Sequence, residues 1–159
     1  MKNLQKIIAF LCLEYPQKSA ISKARLTKMV YLADWFSALL DGKQLTEIKW
    51  IFNHYGPYVD DVVEAAQNSL GFKIEHQSTM FGTSKYVVSY NGSVDSIDLT
   101  EREKNILNTV IEKTKSMYFN DFVEYVYSTY PVKTKERYST FDLVALADKY
   151  KLEAQALAS

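Results

Sequence analysis

Residues 54–66 read HYGPYVDDVVEAA, and this stretch predicts a change from strand to helix. The residues just before it are aromatic and β-branched, a composition typical of a short strand, which we expect at about residues 48–54. Gly56 can adopt backbone angles that residues with a Cβ avoid, and Pro57 suits the first position of a helix. The apolar residues that follow recur at the spacing of one helical face: Val59, Val62, Val63 and Ala66. We therefore expect a strand, a rigid corner and a helix over about residues 57–69.

Helical periodicity dominates the first part of the chain. Apolar residues at helical spacing predict a first helix over about residues 2–15, which Pro16 ends, and a long central helix, which Gly42 ends. The central helix is apolar around so much of its circumference that we expect it to pack on more than one side. Alternating residues from Phe72 to Tyr90 predict a β-hairpin with its turn at Phe81 to Ser84.

Three more helices complete the predicted fold. Their starts are indicated by residue types that cap helix N-termini: Thr100 with Glu103, Asn120, and Ser139 with Asp142. Pro131 is expected to stop the second of these helices. The fold class is therefore α+β and mainly α-helical. It has about six helices, with a small antiparallel sheet of one strand plus the β-hairpin inserted in the middle of the chain.

Length and composition bound the class of protein. A chain of 159 residues with 47% apolar residues can bury one sizeable core, so we expect a single domain over residues 1–159. Nineteen basic residues balance nineteen acidic ones, so no overall field draws the chain to nucleic acid or to an anionic membrane. The single cysteine excludes an internal disulfide and favours a cytoplasmic protein. No apolar segment approaches the ~20 residues that a membrane span needs, so we expect no membrane partner.

The sequence contains no recognisable catalytic, cofactor or metal constellation. Cys12 lies within an apolar helix and is interpreted as a core residue. His54 and His76 stand on separate strands, and two ligands without a third are a weak basis for a metal site. Asp60 and Asp61 are adjacent on a helix, so they suit its positive end better than paired acid–base work. We therefore expect a protein that is not an enzyme and that needs no cofactor.

DNA binding is the alternative function. The order helix, strand, helix and hairpin loosely resembles a winged-helix arrangement. The candidate basic residues lie at the head of the central helix and in a late loop: Lys18, Lys23, Arg25 and Lys28, then Lys133, Lys135 and Arg137. Phosphate contacts dominate affinity for DNA, and a neutral domain has few of them to spare, so nucleic acid is the less favoured partner.

Aromatic residues are the feature that favours a protein partner. The chain has twelve tyrosines, and Tyr118, Phe122 and Tyr125 share one side of a predicted helix. Exposed Tyr and Phe are the residues that anchor protein partners, whereas a helix packed between two layers would bury them. Tyr55 and Tyr58 flank the Gly-Pro corner on a turn, where functional residues are common.

Three motifs in order resemble the SocA-like antitoxin domain, also called the Panacea domain. They are RLTKMVYLADWFSALLDGKQL at 25–45, Trp50, and the opening stretch HYGPYVDDVVEAA. The matching positions are Leu26, Lys28, Tyr31, Trp35, Gly42, Leu45, Trp50, Tyr55, Gly56 and Pro57. The similarity continues through residues 99–131. Tyr58 replaces the family's usual valine, and Tyr127 and Val132 stand where a His and a Trp are common.

This resemblance implies a non-enzymatic protein of a bacterial or phage toxin–antitoxin system. Such a protein binds and neutralises a toxin encoded beside it, in some members as an adaptor that presents the toxin to a protease. The implied partners are therefore a toxin and a protease. The candidate partner-binding residues are Lys28, Tyr31, Trp35, Tyr55, Tyr58, Tyr118, Phe122 and Tyr125, and Gly56 with Pro57 is the structural motif.

Overall fold

The structure is a computed structural model that describes residues 1–78, 80, 82 and 84–158. This part of the chain forms seven α-helices and five strands. In order they are α1 (Asn3–Glu14), α2 (Lys23–Asp41), β1 (Trp50–Asn53), β2 (Gly56–Tyr58), α3 (Asp61–Gln67), β3 (Phe72–Ser78), β4 (Ser84–Tyr90), α4 (Glu101–Thr114), α5 (Phe119–Tyr127), α6 (Tyr130–Thr134), β5 (Thr140–Phe141) and α7 (Leu143–Ala158). The α+β, mainly helical class is confirmed.

Helix α2 is the centre of the fold. Ser22 caps its start by accepting a hydrogen bond from the Arg25 N–H, and Gly42 ends it in a left-handed conformation. Every residue from Arg25 to Trp35 is buried, because α1, α3, α4, α5 and α7 all pack around this helix. The prediction that the central helix packs on more than one side is confirmed.

The strands form two separate antiparallel sheets. One has three strands in the order β2, β1, β5, and the other is the hairpin of β3 and β4. The hairpin was predicted, but it does not pair with β1. Its predicted turn at Phe81 to Ser84 includes Phe81 and Thr83, which lie outside the described residues. Instead, β1 pairs with β2 and β5, since Ile51 lies opposite Tyr58 on one side and Thr140 on the other.

The Gly-Pro corner closes a hairpin and does not start a helix. Pro57 lies in β2 opposite Phe52, and α3 begins only at Asp61. The Phe52 N–H donates to the Ser139 carbonyl, and the Phe52 carbonyl accepts from the Tyr138 N–H, so both polar groups of Phe52 point to the β5 side. Pro57, opposite Phe52, therefore directs its own backbone groups to the free edge of β2. Proline is tolerated there because its missing N–H has no ladder partner to lose. The prediction of a helix that starts at the corner is therefore wrong.

The starts of the late helices agree only partly with the prediction. The Thr100 capping box of α4 is confirmed, with both of its hydrogen bonds formed. Helix α5 has Tyr118 at its N-cap, two residues earlier than the predicted Asn120. The prediction that Pro131 stops a helix is wrong, because this proline lies in the first turn of α6, where its fixed φ fits.

Helix α7 is capped by one of the two residues predicted for it. Asp142 Oδ1 accepts a hydrogen bond from the Ala145 N–H, whereas the Ser139 hydroxyl donates to the Glu136 carbonyl.

The side chains of Ile7 on α1 and Leu143 on α7 belong to one hydrophobic core with α2. None of the described helices has the length and apolar character of a membrane span.

Candidate functional site

A tight turn between β1 and β2 exposes Tyr55. Among the described residues other than glycine, only Tyr138 has a positive φ, so His54 and Tyr55 have ordinary φ values. Gly56 follows them at φ +94°, a left-handed value that favours glycine. The Tyr55 side chain is 73% exposed, and its ring contacts His54 edge-on. The turn therefore presents the aromatic side chain of Tyr55 to solvent.

Helix α5 supports this turn from the core side. A Cβ at Gly56 would lie 2.9 Å from Tyr127 Cε1, closer than carbon atoms pack. The Tyr127 ring also contacts Phe52 edge-on, with 6.3 Å between ring centroids. Gly56 is thus required both by its φ and by the space that Tyr127 leaves, which agrees with its predicted structural role.

A second exposed tyrosine lies at the same end of the sheet. Tyr138 precedes β5, and its N–H donates a hydrogen bond to the Phe52 carbonyl. Its side chain is 70% exposed and its φ is +67°, which is uncommon and strained for a bulky residue. Sequence reasoning missed Tyr138, since nothing in the residue pattern reveals this backbone angle. We call the exposed Tyr55 and Tyr138 the turn end of the sheet.

The outer face of the three-stranded sheet forms the floor of an open groove. Trp50 and Phe52 point into the core, whereas Ile51 between them points outward and is 40% exposed. The groove has a volume of about 550 Å³. Its lining includes Glu47, Ile51, Tyr58, Asp60, Asp61 and Glu64, and we call it the acidic groove.

Tyr58 joins the acidic groove to the turn. Its side chain is half-buried. Burial raises the pKa of Tyr58, and the nearby Asp60 carboxylate raises it further. Asp60 occupies the N-cap position of α3, but its side chain makes no capping hydrogen bond. Both Tyr58 and Asp60 line the groove.

A buried carboxyl group fixes the loop that leads into β1. Asp34 Oδ1 accepts a hydrogen bond from the Thr46 N–H at 2.9 Å, and Oδ2 accepts from Thr46 Oγ1 at 2.5 Å and Trp50 Nε1 at 2.8 Å. Burial raises the pKa of Asp34 to about 6, although these hydrogen bonds lower it. Since Glu47 follows Thr46 directly, this network also positions Glu47 at the groove.

Arg25 holds the junction between α4 and α5. Its Nη2 donates hydrogen bonds to the Thr114 and Met117 carbonyls, both at 2.9 Å, and to the Tyr15 hydroxyl at 2.7 Å. Its guanidinium lies 4.6 Å from the centre of the Phe122 ring. The side chain is almost completely buried, so the carbonyls at the end of α4 serve as its partners.

The residues just after this junction are exposed. Tyr118 is 85% exposed and Phe119 is 45% exposed, while Tyr125 is half-buried on the same helix. Phe122 is fully buried under Arg25. The predicted aromatic side of α5 is therefore divided between core and surface.

Four of the eight predicted partner-binding residues are core residues: Lys28, Tyr31, Trp35 and Phe122. The Tyr31 hydroxyl hydrogen-bonds to Thr129 Oγ1 at 2.8 Å. Burial lowers the pKa of Lys28. The three α2 residues face inward because other helices surround α2, and Phe122 of α5 is covered by Arg25. We therefore correct the assignment of these four residues from partner contact to core. Partner binding by Tyr55, Tyr58, Tyr118 and Tyr125 stays a prediction.

The basic cluster at the head of α2 is not a continuous exposed patch. Arg25 and Lys28 are buried, and Lys18 Nζ donates to the Cys12 carbonyl at 3.0 Å. Lys23 Nζ lies 4.3 Å from the centre of the Tyr86 ring. The candidates for phosphate contacts at the head of α2 are thus engaged within the protein, whereas Lys133, Lys135 and Arg137 in the late loop are exposed.

The structure provides little basis for chemistry at a metal or a thiolate. The described residues contain no group of three or more His, Cys, Asp or Glu side chains that could hold a metal ion. Cys12 is buried in the core, and burial raises its pKa to about 12, so its thiol stays protonated near neutral pH.

Comparison with known proteins gives one finding. A family model described as antitoxin SocA-like, Panacea domain, matches residues 26–131, which is more than half of the chain. The matched range begins in α2 and includes the β1–β2 turn, the acidic groove and all of α5. No curated protein and no solved structure matches the chain significantly.

Proposed function

Because the chain belongs to the SocA-like antitoxin, Panacea domain, family, we propose that it is a non-enzymatic antitoxin that binds and neutralises a protein toxin encoded beside it. Family membership is the single observation that carries this proposal. A bacterial or phage antitoxin of this kind would meet its toxin in the cytoplasm.

The turn end of the sheet is the surface that best supports direct toxin binding. Tyr55 and Tyr138 are both exposed by more than two thirds, and Tyr58 lies on the adjoining strand. Tyrosine offers a large contact area and a hydroxyl, and it is enriched among the residues that dominate binding energy at interfaces. The backbone conformation places both rings in solvent, outside the core. A partner can therefore contact them without disturbing the packing of the core.

A second exposed patch favours the adaptor form of this function. Tyr118 lies at the start of α5, and Tyr127 under the turn lies at its end. Nine helical residues rise about 14 Å, so the two surfaces are well separated. A chain with two separate aromatic surfaces suits a protein that holds a toxin with one and a protease with the other.

Co-expression with the product of the adjacent gene tests the proposal. That product alone should arrest growth, and the antitoxin should restore growth and copurify with it. Tyr55→Ala and Tyr58→Ala should weaken copurification with little change in melting temperature. Tyr86→Ala is the matched control, because Tyr86 is a half-exposed tyrosine on the other sheet. A harmless neighbour that does not copurify would rule out the antitoxin function.

The adaptor form has its own measurement. The half-life of the toxin in cells should be shorter when the antitoxin is present, and the difference should disappear in a host that lacks the protease. Tyr118→Ala should lengthen the toxin half-life while copurification of the toxin is retained. An unchanged half-life would contradict the adaptor form, and the antitoxin would then neutralise the toxin by binding alone.

A further inference from the structure

The outer face of the three-stranded sheet is uncovered at its centre. Antiparallel sheets often leave one face in water, and that face then carries polar residues. Here Ile51 lies at the centre of the face, flanked across the strands by Tyr58 and Thr140. Ile51 and Thr140 are exposed and Tyr58 is half-buried. This face therefore offers an apolar floor that a partner can cover.

Acidic side chains surround this apolar floor. The acidic groove contains four carboxylates and one cation, Lys49, although the chain as a whole has no net charge. The ion pairs of the described residues are Lys73–Glu75, Arg102–Asp41, Lys104–Glu101 and Lys115–Glu112, and none of them uses a groove carboxylate. The groove thus has an excess of negative charge that no ion pair of the described chain compensates.

Helix capping does not account for all of these carboxylates. Asp61 and Glu64 lie in the first turn of α3, where its dipole favours negative charge. Asp60 lines the groove, and its side chain makes no capping hydrogen bond to the helix. Glu47 comes from a different segment, the loop before β1, and the Asp34 network holds this loop. Two separate segments therefore place acidic side chains on the same groove.

The geometry limits how a partner can bind here. Pro57 faces the free edge of β2 and has no N–H, so the edge is poorly suited to the addition of a strand. The groove is open and large enough for several side chains. A partner would therefore lie across the face and contact it through side chains, with positive charges opposite the carboxylates.

We propose that the acidic groove docks an extended segment of the protein partner that carries Lys or Arg side chains, with an apolar residue between them on Ile51. This inference rests on the proposed function in taking the partner to be the toxin. Opposite charges across such an interface raise the association rate and set the register of the bound segment. Negatively charged nucleic acid is repelled by the same carboxylates.

A peptide titration tests the groove without the toxin. The probes are two blocked peptides, Lys-Ser-Val-Ser-Lys and Glu-Ser-Val-Ser-Glu, added to the full ¹⁵N-labelled chain, because alternate residues of an extended peptide share one face. The basic peptide should shift the amide signals of Glu47, Ile51 and Asp61, and added salt should weaken its binding. The acidic peptide should shift none of them. Signals that stay unchanged, or that change only elsewhere in the chain, would overturn the proposal.

Neutral variants give the matched comparison. Glu47→Gln, Asp61→Asn and Glu64→Gln together remove three groove charges and leave Asp60, which lies beside Tyr58 in the groove lining, unchanged. Asp95→Asn, Asp98→Asn and Glu124→Gln remove the same charge from exposed positions elsewhere. The groove variant should bind the basic peptide about tenfold more weakly than the control variant. Equal affinities would overturn the proposal. Glu47→Gln alone lies outside any helix, so it tests the groove without a change in helix stability.

Copurification with the toxin separates this inference from the proposed function. If wild-type protein binds the toxin and the groove variant loses about tenfold in affinity, both are supported. If the groove variant binds as tightly as wild type, the groove inference fails and the antitoxin function stands. If wild-type protein binds no toxin, the antitoxin function fails, and the peptide titration still decides whether the groove binds basic segments.

Discussion

At the scale of single residues, Gly56 combines two constraints that are usually separate. Its φ of +94° disfavours any side chain, and the Tyr127 ring lies only 2.9 Å from the position that a Cβ would take. Gly42 also has a positive φ, but nothing lies within 4 Å of its Cβ position. The two glycines therefore distinguish backbone strain from steric overlap.

Gly56→Ala should lower the free energy of unfolding by about 2 kcal/mol or more, because strain and overlap with Tyr127 both contribute. Gly42→Ala should cost about 1 kcal/mol, from backbone strain alone. Urea denaturation of both variants checks the difference. Equal losses would show that the Tyr127 ring moves aside at no cost.

Asp34 gives the stability of the protein a defined pH dependence. Burial raises the pKa of Asp34 from 3.8 to about 6, so the folded state binds this proton more tightly than the unfolded state. The contribution of Asp34 is therefore full below about pH 4 and is lost as the pH rises through about 6. Within that window the loss is on the order of 1.4 kcal/mol per pH unit.

Asp34→Asn should remove this pH dependence. The unfolding free energies of wild type and variant should differ by an amount that falls as the pH rises from about 4 to about 6. Denaturation of both proteins at several pH values measures the difference. A difference that stays constant across this window would mean that Asp34 keeps the same pKa in the folded and unfolded states.

At the scale of elements, the Arg25 side chain connects three helices. It extends from α2, bonds to the carbonyls at the end of α4 and covers Phe122 of α5. Arg25→Met should cost about 2–4 kcal/mol, because buried carbonyls lose their donors. It should also increase hydrogen exchange at the start of α5.

Arg102→Met is the control for this prediction. Arg102 pairs with Asp41 and Ser37, but its side chain is 33% exposed, so its loss should cost less than about 1 kcal/mol. Denaturation curves of the two methionine variants give the comparison. Similar losses would mean that the Arg25 contacts have no special role at the junction.

Elements with a long repeated pattern were predictable from the sequence, and short ones were not. The α2 pattern and the alternation of β3 and β4 extend over many residues, so each has several independent signals. Strands β2 and β5 have three and two residues, too few for an alternation to be visible. In β2 the Gly-Pro pair also has the composition of a helix start, which produced the wrong boundary for α3.

The candidate site was predictable only in part, for a related reason. Tyr55 lies on a turn that its own neighbours define, so its place on a turn followed from local sequence, but its exposure did not. Tyr31 and Phe122 are aromatic residues at helical spacing, and this pattern is the same for a core as for an interface. The acidic groove depends on a loop and a helix start that meet only after folding, so Glu47 and Asp61 show no relation in sequence.

At the scale of the whole molecule, both ends of the chain contribute to one core. The family match covers residues 26–131, yet Ile7 of α1 and Leu143 of α7 are completely buried with α2. A core that draws on elements outside the matched range should unfold as one unit. This shared core supports the prediction that residues 1–159 form a single domain.

The full chain should therefore unfold in one cooperative transition, with the same midpoint by far-UV circular dichroism and by fluorescence of the buried Trp35 and Trp50. A fragment of residues 26–131 should show no cooperative transition, because it exposes the surface that α1 and α7 cover. Two midpoints for the full chain, or a cooperative transition in the fragment, would contradict the single-domain assignment.

The position of Pro57 has a consequence for how copies of the protein behave at high concentration. A sheet edge that alternates N–H and C=O groups is a template for the strand of another molecule, and growth along such edges leads to fibrils. The outward-facing residue of β2 is a proline, so this edge presents a carbonyl and no N–H at that position. The β2 edge is thus protected from fibril growth, while the neighbouring face of the same short strand stays open for the proposed docking of a partner.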